Sequence, residues 1–135
     1  MTKLQTFWRI TVYVPNNDNP GEEDVNLIVT GTLQNVGVIW EAIKGIEGLG
    51  KVGRYEGVHE VGFGFEGYRA TQGTKPRYGR IGEDIFLGRA TLTTYLPGEH
   101  SVEDLERIGE IIKSAHPWEH PVIEFSRCLL FVPQA

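Results

Sequence analysis

Ala115-His116-Pro117-Trp118-Glu119-His120-Pro121, followed by Val122-Ile123-Glu124-Phe125, is the stretch on which the fold turns. Pro117 has no backbone N–H to donate and disfavours helix in the residue before it, so a helix must end here. Pro121 launches an extended segment. The stretch is therefore a corner between a helix and a strand, and it holds the polar side chains of His116, Glu119 and His120 between two regular elements.

Upstream of the corner, Val102, Leu105, Ile108, Ile112 and Ala115 recur at helical spacing and predict a helix over 102–115. Ser101 suits the N-cap, and Glu103 and Asp104 complement the dipole of the first turn. Downstream, residues 122–132 form a mostly apolar strand suited to a buried position. Earlier in the chain, residues 6–14 alternate in polarity and are rich in β-branched and aromatic types. They predict a strand ended by Pro15, with Phe7, Ile10, Val12 and Val14 on one face. Val36, Ile39, Trp40, Ile43 and Ile46 predict another helix, over 33–47, stopped by Gly48 and Gly50. Residues 16–31 read as a loop insertion, in which the apolar run 25–29 is left unassigned. Residues 53–68 and 84–96 read as extended, separated by the turn Gly73-Thr74-Lys75-Pro76 and a loop over 77–82.

The order strand, helix, strand, strand, helix, strand predicts a ferredoxin-like βαββαβ sandwich of the α+β class, with two helices on one face of an antiparallel sheet. At 135 residues the chain makes one domain, 1–135, and 40% hydrophobic residues suffice for a real core. The other sheet face needs a cover. Phe7, Trp8, Phe125 and Phe131 exceed what two helices can hide, which predicts a homo-oligomer.

The formal charge is −5 and no Lys/Arg cluster appears, which removes the phosphate term that dominates nucleic-acid binding. No apolar run reaches membrane-spanning length and the amino terminus has no signal-peptide pattern, so the expectation is a cytoplasmic protein without nucleic-acid or membrane partners. The single Cys128 lies in an apolar run and reads as a small buried hydrophobe.

Gly62-Phe63-Gly64-Phe65-Glu66-Gly67 matches G-x-G-x-x-G, but no helix pattern follows, so it reads as a glycine-rich extended segment and not as a dinucleotide fingerprint. His116, Glu119 and His120 are candidate ligands for a divalent metal, with His59, Glu56 and Glu60 as further donors. The alternative is that His116 serves the carbonyl end of the helix. His116 and Glu119 also offer a general acid–base pair, although no nucleophile pattern accompanies them. Arg54, Arg69, Lys75, Arg77, Arg80 and Arg89 are solvated charges unless the strands gather several of them, in which case they suit an anionic ligand.

Gly53-Arg54-Tyr55-Glu56, Gly67-Tyr68-Arg69-Ala70, residues 73–79 and the corner 115–121 together resemble the YqfO-type domain, which occurs alone and as an insert in Nif-three-like proteins. The corner also resembles the His-Pro-Tyr-Glu-x-Pro segment of CutA, and both families are similar in fold to the PII signalling proteins. Trp118 stands where the family has tyrosine, and Gly57-Val58 where it often has His-Cys. The resemblance implies a ferredoxin-like unit assembled as a trimer. It implies a binding or regulatory module whose small-molecule or ion ligand sits between subunits, near Tyr55, His59, His116, Trp118 and Glu119.

Overall fold

The computed structural model describes residues 3–15, 25–76, 79–117 and 120–133. Strand β1 (Leu4–Pro15) leads to helix α1 (Val25–Ile43), strands β2 (His59–Arg69) and β3 (Asp84–Pro97), helix α2 (Val102–Ala115) and strand β4 (Ile123–Phe131). The four strands form one antiparallel sheet in the order β2-β3-β1-β4, which is the ferredoxin-like plan expected from the sequence. Among the described residues no helix is long and apolar enough to cross a membrane.

Helix α2 has the predicted bounds because its signals are local. Ser101 keeps an extended backbone and its hydroxyl accepts the Asp104 N–H at 3.1 Å, satisfying one free donor of the first turn. His116 is the C-cap residue. Helix α1 begins earlier than the periodicity suggested: residues 25–31, read as part of a loop insertion, are its first turns, while Asn16–Asp24 lie outside the described residues. It also ends earlier, at Ile43, and hydrogen-bonded turns continue the chain to Gly50. Gly50 is required there: its φ is +78°, and a Cβ would stand 2.9 Å from the Val58 backbone nitrogen.

The core lies between the helices and one sheet face. Ile10, Val12 and Val14 of β1 meet Ala90, Leu92 and Leu96 of β3 beneath Val36, Ile39 and Ile43 of α1 and Leu105, Ile108 and Ile112 of α2. Each of the valine, leucine and isoleucine side chains contributes about 1.5–3 kcal/mol by leaving water. The buried Thr94 hydroxyl in this layer donates to the Val58 carbonyl at 2.8 Å.

Phe7 departs from the predicted face. It pairs with Pro97 and Cys128, whereas Ile10 pairs with Thr94 and Phe125, so Phe7 and Ile10 point to opposite sides of the sheet. Trp8 takes the core side with Phe125. Phe7 is buried on the other side, edge-on to the Tyr95 ring at 6.4 Å. That other face is otherwise polar around its centre, where Arg9, Thr11, Thr91, Thr93, Glu60 and Tyr95 line a shallow hollow of about 300 Å³. The crowding argument for association therefore loses Trp8 and Phe125, but retains Phe131, which is 64% exposed. Cys128 is half-buried rather than sealed in the core.

Candidate functional site

The corner after α2 is fastened to the end of β1. The His116 ring donates from Nε2 to the Tyr13 carbonyl at 2.6 Å, and the Tyr13 N–H donates to the Val122 carbonyl at 3.2 Å. Both backbone groups of Tyr13 are thus held by residues flanking the two prolines. His116 is 8% exposed, so this hydrogen bond is made away from water and serves as a latch between layers.

The second half of the site comes from the β2–β3 hairpin. Strand β1 reaches only as far as the pair Pro15–Arg89, whereas β2 and β3 continue to the pair Arg69–Asp84. The hairpin therefore overshoots the sheet beside the corner. Beyond β2, Thr71-Gln72-Gly73-Thr74 makes a turn in which the Thr74 N–H and Oγ1 both donate to the Thr71 carbonyl, at 3.2 and 2.7 Å. Gly73 has φ +90°, the left-handed conformation that such a turn asks of its third residue.

Hairpin end and corner enclose a cavity of about 380 Å³ lined by Glu66, Gly67, Tyr68, Arg69, Ala70, Thr71, Thr74, Lys75, Pro76, His120 and Val122. That is the size of a small-ligand pocket. Its walls combine apolar surface from Tyr68, Ala70, Pro76 and Val122 with cationic groups and hydroxyls. Arg69 is oriented by Asp84, whose Oδ1 accepts from Nε at 2.8 Å and from Nη2 at 2.7 Å. Burial pushes the Glu66 carboxyl above the ordinary carboxylate range, and the charge of Arg89 offsets part of that rise. Arg89 lies 5.0 Å over the Tyr13 ring. It crosses Gly64 so closely that a Cβ there would be 2.8 Å from Nη1. The G-x-G-x-x-G run is thus extended strand, as read, and its glycines make room for side chains of β3.

The residues proposed from sequence are distributed as follows. His120 lines the cavity, and His116 holds the corner from beneath. Trp118 and Glu119 lie outside the described residues. Tyr55 is 76% exposed in the turn it forms with Val52. His59 opens β2, at the end of that strand away from the cavity. Its ring stacks on Trp40 at 4.0 Å between centroids, and its Nδ1–H donates to the Gly57 carbonyl at 2.7 Å. Within one chain, Tyr55 and His59 are therefore apart from His116 and His120. Among the described residues no three His, Cys, Asp or Glu side chains form a metal cluster. Sequence reasoning missed Tyr68, Thr71 and Thr74 as lining residues, and it named Arg69 and Lys75 among cations that would suit an anionic ligand if the fold gathered them, without placing them beside the corner. The available signal was that the blocks 67–70 and 73–76 both belonged to the motif set that also contains the corner.

Fold and site together define a ferredoxin-like α+β unit with a pocket between its central hairpin and its last corner. No protein-family model matches the chain, and no curated protein matches it. Among solved structures it is similar to a Bacillus cereus protein related to NIF3, with a TM-score of 0.60 and 14% identity, over 93% of this chain and 26% of that one. It is also similar to Staphylococcus aureus protein SA1388, with a TM-score of 0.50 and 15% identity, over 96% of this chain and 25% of that one. The chain thus spans about a quarter of the length of these proteins, and at these identities the likeness is one of fold.

Proposed function

We propose that this chain is a small cytoplasmic binding or regulatory module of the PII/CutA type, close to the YqfO-type domain, with its ligand in the cavity between hairpin and corner. The observation that carries the reading is the convergence of residues 66–71, 74–76, His120 and Val122, far apart in sequence, on one concavity. A fold found inside proteins four times as long is consistent with a module that serves a larger machinery. Thermal-shift screening against small anions, neutral metabolites and divalent metals tests the reading: a rise in melting temperature with at least one class is expected, and a flat response across the panel contradicts it.

The module works as a homo-oligomer, with a trimer as the expected state. Phe63, Phe65, Phe86 and Phe131 are 58, 69, 75 and 64% exposed, more aromatic surface than an isolated unit normally leaves in water. Strands β2 and β4 are the two edges of the sheet, each open to pairing with another copy. Light scattering behind size-exclusion chromatography measures the state, and a monomer at all concentrations refutes it.

A second reading is a divalent-metal protein of CutA type, with His116, Glu119 and His120 as the ligand candidates, of which His120 lines the cavity. Elemental analysis of untagged protein decides it, with stoichiometric metal in favour, and no bound metal together with no uptake at micromolar concentration against.

A further inference from the structure

Resting on the reading of the hairpin–corner cavity as a ligand site, we infer that its ligand is an organic anion: one phosphate or carboxylate group carried on an apolar body. The cavity brings two cations of the middle third of the chain, Arg69 and Lys75, to the same wall. Asp84 grips the Arg69 guanidinium through Nε and Nη2 to a single oxygen. Of the five donors of a guanidinium this uses two, and it fixes the plane of the rest. The pair itself is exposed, so its contribution is orientation rather than stability. Thr71, Tyr68 and His120 line the same cavity and add two hydroxyls and an imidazole to it.

Glu66 is the one carboxyl among the described residues of the lining, and it is half-buried rather than fully solvated. Burial favours its neutral form, and Arg89 stands beside it as a countercharge. Arg89 has a buried Nε without a hydrogen-bond partner. The opposite requirement, an apolar body, follows from the remaining wall: the Tyr68 ring, Pro76 and Val122 offer surface that inorganic phosphate alone would leave uncovered. The volume of about 380 Å³ admits a group of the size of a substituted ring or short chain together with its anionic head.

The experiment is a calorimetric titration of the full chain with phenyl phosphate, benzoate, inorganic phosphate and benzyl alcohol, followed by the His120 ring signal in proton–carbon spectra. The expected result is binding of phenyl phosphate or benzoate, tighter than inorganic phosphate and tighter than benzyl alcohol. Which of the two organic anions binds better distinguishes a phosphate head from a carboxylate head. Lys75→Gln and Arg69→Gln each weaken it by roughly tenfold or more, the scale of one charge-assisted hydrogen bond. Equal affinity for benzyl alcohol, or unchanged affinity in both variants, overturns the anion assignment. If only a neutral compound or a divalent cation moves His120, the anion assignment fails while the binding-module reading stands. If nothing in the panel or in the wider screen moves it, both fail.

Discussion

Leu92 and Phe65 lie on the same side of the same two-stranded ladder, yet Leu92 is 1% exposed and Phe65 is 69% exposed. The alternation of β2 and β3 is continuous between them. What changes is the neighbour: β1 accompanies β3 only as far as Arg89, and the buried core beneath the helices ends with Ala90. Past that point Phe65 and Phe86 stack on each other at 5.6 Å and remain largely in water. The near half of the hairpin builds the core. The far half, relieved of that duty, presents aromatic surface on one side and a ligand-sized cavity beside the corner. Side-chain period decides which face a residue takes, and the layer above it decides whether that face is buried.

The sharpest way to break this comparison is to truncate both halves. Leu92→Ala removes a core side chain and is expected to cost about 2–5 kcal/mol in denaturant unfolding. Phe65→Ala, measured under dissociating dilution, is expected to fall within about 0.5 kcal/mol of wild type. Equal costs would mean that the far half is covered in solution and that the contrast is wrong.

Between these extremes lies the latch. His116→Ala leaves the Tyr13 carbonyl without its side-chain donor and is expected to destabilise by about 1–3 kcal/mol. If His116 served only as a surface ligand, the unfolding midpoint would barely move.

Glu66 gives a smaller, pH-dependent test of how dry the far cavity is. Its carboxyl binds a proton more tightly in the folded protein than in the unfolded chain, where its value is near 4.5. Its contribution to stability is therefore fully present below pH 4.5 and is lost as the pH rises through the raised folded value. Melting temperatures of Glu66→Gln against wild type from pH 4 upward should converge at the acid end and favour the variant at neutral pH. Parallel profiles would show that the carboxyl is solvated.

How much of this was legible in the sequence follows from how local each signal is. Helix α2 was readable to the residue because its stripe, its cap and the proline after it sit within one short stretch. The start of α1 was not, since Thr30, Gly31 and Thr32 weaken any local helix signal before the apolar spacing begins at Val36. Phe7 was assigned to the wrong face because two adjacent bulky residues, Phe7 and Trp8, satisfy either phase of the alternation, and only the register with β3 and β4 separates them. The corner was recognisable as the focus of the chain. Its partners were not, because the placing of Lys75 and His120 on one cavity depends on how far the hairpin overshoots β1, a property of register rather than of spacing. The role of His116 was hidden for the same reason, its acceptor being a carbonyl 103 residues earlier.

The most direct measurement of the central claim uses the four histidines already in the chain. Their ring signals are assigned and followed while the protein is titrated with compounds that raise its melting temperature. A ligand seated between hairpin and corner shifts His120 strongly while His59, at the other end of β2, stays in place; movement of His59 with an unmoved His120 would contradict the account.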